Sequence, residues 1–117
     1  EGVAYHLADE LIVTDTMSAR KQIMMRRAQA FVVLPGGFGT LEELMEVMTL
    51  RFLGYHARPI VLVNTDGFYD DLLAFFDRLY EARFARTRAT GLLHVAPTPT
   101  DALAYLHAAF ASDEDEA

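Results

Sequence analysis

Two short stretches hold the residues that can do chemistry. Leu34–Leu44 reads LPGGFGTLEEL: an apolar run ends at Pro35, and Gly36, Gly37 and Gly39 follow within four residues. Thr40, Glu42 and Glu43 then lead into an apolar-periodic segment. Upstream, TMSARK places Arg20 and Lys21 in the first turn of a second helical pattern. Glycine lets a backbone approach an anion closely, and the free N–H groups of a helix's first turn face that anion with a favourable dipole. Arg20 and Lys21 sit where the same dipole disfavours cations, and a bound anion would repay the mismatch; side chains bending back to solvent would also relieve it. One or two carboxylates facing this positive pole could stabilise developing positive charge or activate water. Glu43 has a second reading, because Thr40 and Glu43 form the T-x-x-E spacing of a helix-capping box. Glu42 reads equally as a favourable acid in the first turn, and Glu46 as a solvated helix residue.

The glycine stretch is neither of the common phosphate loops. The dinucleotide pattern needs a further glycine where Glu42 stands, and a Walker loop needs Gly-Lys-Ser/Thr.

The elements that must position these residues follow from periodicity. AFVVLP (Ala30–Pro35) and PIVLVN (Pro59–Asn64) are continuous apolar runs, the mark of strands buried on both faces. ELIVTD (Glu10–Asp15) and LLHVA (Leu92–Ala96) read as shorter strands. Helical spacing appears over Ser18–Gln29, from Thr40 to about Gly54, over Phe68–Phe84, and after Thr98, which is placed as an N-cap with Pro99 at the first helical position. Strand and helix alternate, which predicts an α/β fold: a Rossmann-like parallel sheet flanked by crossover helices. Both helix starts that carry candidate residues should then open on one rim of the sheet. Only three or four strands are visible where such sheets usually have five or more, so N-terminal strands of the fold are expected to be missing from this chain.

The chain has 117 residues, 52% of them hydrophobic, with a mean hydropathy of +0.14, enough for one domain with its own core. Residues 1–112 read as that domain and 113–117 as an acidic, disordered tail. The net charge is −7, and −3 remains once Asp113, Glu114, Asp115 and Glu116 are set aside, which argues against nucleic-acid binding. Yet four of the ten basic residues, Arg20, Lys21, Arg26 and Arg27, fall within one eight-residue window. No apolar run is long enough to cross a bilayer, and the absence of cysteine fits a cytoplasmic setting. His6, His56, His94 and His107 show no metal-ligand spacing, so neither a metal nor another cofactor is expected. Met24, Met25, Met45 and Met48 read as core or subunit-interface packing, and the broad apolar arc of Leu41–Phe52 suits a dimer contact.

MSARK, the Gly36 that falls sixteen positions after Arg20, and PGGFGTLEE together resemble the LOG ("Lonely guy") family. Its members are cytokinin-riboside 5′-monophosphate phosphoribohydrolases, often labelled lysine decarboxylases. The family's P-G-G-x-G-T-x-x-E motif is matched at every fixed position from Pro35 to Glu43, and the similarity continues through EVMT, LGYHARPIVLVNTDGFYDDLLAFFD and on to the end. The resemblance implies a hydrolase that releases a free base and ribose 5-phosphate from a nucleoside 5′-monophosphate such as AMP or N6-isopentenyl-AMP. It implies Arg20 and Glu43 as the catalytic pair, and Lys21, Gly36, Gly37, Gly39, Thr40, Glu42 and Thr49 as substrate contacts. It also implies a homodimer or larger assembly. Ser18 and Ala19 stand where family members usually have His-Glu. Two other readings stand beside this one. A pyridoxal-phosphate decarboxylase would need a Schiff-base lysine, and Lys21 is the only lysine. A non-catalytic nucleotide-binding or carrier module could share the fold.

Overall fold

The computed structural model describes Ala4–Tyr5 and residues 29–116. The expected strand at Glu10–Asp15, the expected helix at Ser18–Gln29 up to its last residue, and His6, Met24 and Met25 therefore lie outside the described residues. The elements are β1 (Ala4–Tyr5), β2 (Phe31–Val33), α1 (Phe38–Phe52), β3 (Ile60–Val63), α2 (Asp70–Glu81), β4 (His94–Ala96) and α3 (Pro99–Glu116). Single 3₁₀ turns at Thr65–Gly67 and Ala89–Gly91 lead into α2 and β4.

The strands lie in the order β1-β2-β3-β4. β2, β3 and β4 are parallel, with Val32 beside Val61 and Leu62 beside Val95. The α/β expectation holds, with one addition: β1 pairs antiparallel to β2. Antiparallel edge strands on otherwise parallel sheets are common.

Side chains alternate across a strand, so each apolar run feeds two cores. Phe31, Val33, Ile60 and Leu62 point to one face, where Leu44, Val47 and Met48 of α1 and Phe76 of α2 cover them. Val32, Val61, Val63 and Ala96 point to the other, against Ala102 and Leu106 of α3. Small residues on that second face let α3 approach closely. The Thr98 cap forms as expected: its hydroxyl accepts from the Asp101 N–H at 3.1 Å and donates to the Asp101 carboxylate at 2.9 Å. The helix then runs through Glu116, across the boundary that composition placed at 112/113. No helix among the described residues is long and apolar enough to cross a membrane.

Two helices end alike with different residues at the turning point. After α1, Gly54 has φ +88°, its N–H donates to the Arg51 carbonyl, and Tyr55 donates to Leu50. After α2, Arg83 has φ +69°, donating to Tyr80, while Phe84 donates to Leu79. Both are Schellman caps, but only the first has the glycine that tolerates a left-handed backbone.

His56 fastens α1 to the start of β3. Its Nε2–H donates to the Val47 carbonyl at 2.9 Å, and its Nδ1 accepts from the Arg58 N–H at 3.1 Å, which specifies the neutral ring. Arg51 adds a bond to the Arg58 carbonyl at 2.9 Å. Burial lowers the His56 pKa below the ordinary 6.5, and the nearby Arg58 and Arg51 charges add to that effect.

Two predictions follow from these joints. Arg83→Gly should stabilise the fold by about 1 kcal/mol and Gly54→Ala should cost a similar amount, read from denaturant midpoints; no gain at position 83 would contradict the strain at that cap. Because the unfolded chain binds a proton at His56 more readily than the folded one, His56 contributes stability that is complete above its ordinary value of 6.5 and is lost as pH falls through the depressed folded value. The melting temperature should therefore drop on acidification below 6.5, and His56→Gln should weaken that dependence. An unchanged pH profile in the variant would contradict the assignment.

Candidate functional site

The glycine turn leaves the carboxyl end of β2 and enters α1, at the edge of the sheet where α/β proteins bind ligands. The helix starts at Phe38 with Gly37 as N-cap, and Gly37 offers no side-chain cap. Its carbonyl accepts the first ladder bond, from Leu41 N–H at 3.1 Å. The N–H groups of Phe38, Gly39 and Thr40 thus precede the ladder and have no acceptor within the helix.

This start corrects the capping-box reading of Thr40 and Glu43. A capping box needs its threonine outside the helix as N-cap. Thr40 is instead the third residue inside α1 and is 3% exposed, and no acid stands in the first turn. Thr40 packs directly beneath the turn. A Cβ on Gly36 would overlap the Thr40 hydroxyl oxygen and lie 2.9 Å from its Cβ, so position 36 has room for glycine alone. That hydroxyl has no hydrogen-bond partner among the described residues. Gly37, by contrast, faces open space where a side chain would stand.

Glu43 is the second unusual group. Thr40, Glu43, Leu44, Val47 and Met48 form the buried stripe of α1, and Glu43 is 3% exposed. A carboxylate buried at such a position costs several kcal/mol unless it is well partnered, roughly the scale of whole-domain stability. Packing alone would favour leucine there. Glu42, one residue earlier, is exposed, and Glu46 is half-buried.

In front of the turn lies a cleft of about 310 Å³, lined by Gly36, Gly37, Phe38, Leu41, Tyr69 and residues flanking Tyr69. Phe38 and Phe68 stand at its mouth, 92% and 56% exposed. Sequence reasoning passed over both: the variable position of P-G-G-x-G offers no pattern, and Phe68 looks like any apolar residue at a helix start. The loop beyond β3 is ordered by Asn64. Asn64 accepts from the Tyr69 N–H at 2.6 Å and donates to the Asp70 carboxylate at 2.8 Å.

The structure thus brings Gly36, Gly37, Gly39, Thr40, Glu42 and Glu43 together on one turn and the helix behind it. Thr49 is elsewhere. Nine residues past Thr40, about 14 Å along the helix axis, it lines a separate apolar groove of about 480 Å³ with Met45, Phe52, Leu53 and Phe84. Met48 reaches the core, one of the two roles expected of the methionines, while Met45 is 41% exposed. Arg20 and Lys21 lie outside the described residues. Among the described residues, no group of three His, Cys, Asp or Glu side chains is placed to hold a metal.

A family model described as "Possible lysine decarboxylase" matches residues 1–106. The chain is similar to the cytokinin riboside 5′-monophosphate phosphoribohydrolase of Mycobacterium tuberculosis, 48% identical over 101 residues that make up 86% of this chain and 54% of that protein. It is similar also to two Arabidopsis thaliana proteins of the same description. LOG2 is 45% identical over 83% of this chain and 46% of its own length, and LOG4 is 49% identical over 70% and 38%. The chain therefore spans about half the length, or less, of these curated relatives. With the P-G-G-x-G-T-x-x-E turn built as described and most of the chain matched, this protein belongs to the LOG family, the phosphoribohydrolase family that also carries the description "Possible lysine decarboxylase".

Proposed function

We propose that the chain carries the catalytic turn of a nucleoside 5′-monophosphate phosphoribohydrolase, cleaving the bond between base and ribose 5-phosphate in AMP or in cytokinin nucleotides such as N6-isopentenyl-AMP. The observation that carries this reading is a carboxylate, Glu43, 3% exposed on the inner stripe of a helix whose first-turn N–H groups have no acceptor within the helix. The names of the relatives supply the reaction class.

In this reading the 5′-phosphate sits at the amino end of α1, against the N–H groups of Phe38, Gly39 and Thr40 and the helix dipole. Arg20 and Lys21 neutralise the remaining phosphate charge, and Arg20 also assists the departing base. As the glycosidic bond lengthens, positive charge develops on the ribose, and the Glu43 carboxylate stabilises it. Water then bonds to the anomeric carbon, its proton passing to Glu43, while the base leaves with the bond's electron pair and takes up a proton. Glu42 and the Gly37 backbone line the approach. No lysine-bound cofactor enters this chemistry. The working unit is a homodimer or larger assembly, joined through the groove lined by Met45, Phe52, Leu53 and Phe84, and Thr49 lies on that boundary rather than at the glycine turn.

The test is incubation of the protein with AMP and with N6-isopentenyl-AMP, following free base by chromatography. Glu43→Gln should lower turnover by about 10³-fold with little change in melting temperature, and Arg20→Ala should likewise abolish base release. A large loss of thermal stability in Glu43→Gln with activity retained would assign Glu43 to packing. Tight binding of both nucleotides with no base released would favour a carrier instead.

A further inference from the structure

We propose that Tyr69 is a positioning residue for the glycine turn: its hydroxyl, bonded to the Leu34 carbonyl across the cleft, fixes where the first-turn N–H groups of α1 point. The proposal deepens the phosphoribohydrolase reading and rests on it for the substrate, but its geometry stands alone.

Tyr69 is the N-cap of α2 and is 3% exposed. Its hydroxyl donates to the Leu34 carbonyl at 2.8 Å, joining segments 35 positions apart. The Gly36 N–H faces the same phenolic oxygen, close enough to offset part of the effect of burial on the phenol. The phenol therefore holds the backbone just before Pro35 and stands beside it just after, at the point where the chain must reverse. Burial pushes the Tyr69 pKa above its ordinary 10.0, the Gly36 N–H opposing this in part, so the group stays a neutral donor and acceptor.

The ring is anchored independently of the turn it holds. The Tyr69 N–H is bonded to Asn64, whose own backbone N–H donates to the Ala96 carbonyl at 2.7 Å, tying the loop to β4. Phe68 packs edge-on against the ring, with centroids 4.8 Å apart. The turn is thus gripped from two sides, by Tyr69 across the cleft and by Thr40 beneath Gly36.

This arrangement changes the role of Gly36. Its N–H faces the phenol rather than the open end of the helix. Its lack of a side chain serves the contact with Thr40. The anion-facing donors are the next ones along, on Phe38, Gly39 and Thr40. Removing the hydroxyl leaves the part-buried Leu34 carbonyl without its partner, a cost that the turn would relieve by shifting. Even a small shift would misdirect the N–H groups behind it.

Tyr69→Phe keeps the ring and deletes only the hydroxyl. In the full chain, KM for the nucleoside monophosphate should rise about tenfold with kcat changed less than about threefold, a uniform-binding loss. Amide hydrogen exchange at Gly36, followed by NMR without substrate, should speed up about tenfold while the β3 amides stay unchanged. A purely structural role would lower the active fraction, and hence kcat, without moving KM, and would overturn the proposal. So would unaltered exchange at Gly36. If the wild-type chain releases no base, the catalytic reading fails by itself, and the exchange of Gly36 alone decides the clamp.

Discussion

Gly36 lies directly on the side chain of Thr40, and the geometry of the site depends on that contact. Because no side chain fits between them, the chain can reverse immediately after β2 and begin α1 at Phe38. Starting the helix there sets its rotation. Thr40 and Glu43 turn inward with Leu44, Val47 and Met48, while Glu42 turns outward. The same start leaves the N–H groups of Phe38, Gly39 and Thr40 at the amino end of the helix, ahead of its hydrogen-bond ladder. One close packing contact thus places a positive backbone pole and a buried carboxylate on the same short segment.

The sheet makes that contact reliable. Each residue of β2 and β3 is buried, Phe31, Val33, Ile60 and Leu62 under α1 and α2, and Val32, Val61 and Val63 under α3. A strand held from both sides cannot slip by one residue without exchanging its two cores, so the position of Leu34 and the turn after it is fixed. The bond from Tyr69 to the Leu34 carbonyl then carries this order across the cleft to α2.

Much of this was legible in the residues, for physical reasons. AFVVLP and PIVLVN could hardly be anything but doubly buried strands, and the cap at Thr98 formed where its spacing placed it. Thr40-Leu-Glu-Glu43 carries the same local signal as Thr98-Pro-Thr-Asp101, yet Thr40 lies within the helix. The difference is tertiary, because nothing within that window reveals that Gly36 will lie on the threonine. The left-handed Arg83 also escapes a reading that looks for glycine at helix ends. The glycine motif identified the turn, while Thr49, which the family resemblance adds to the site, lies further along the helix and lines another groove. The bridge from Tyr69 to Leu34 spans too many residues for any local pattern to show.

The central claim is that the first turn of α1, held by Gly36 on Thr40, is the anion-binding end of the site. Titration of the isotope-labelled protein with ribose 5-phosphate, read as backbone amide chemical-shift changes, tests it most directly. The account predicts the largest shifts at Phe38, Gly39 and Thr40, with Gly36 moving less than these three. Shifts confined to the groove around Met45 and Phe84, with the first-turn amides unmoved, would contradict it.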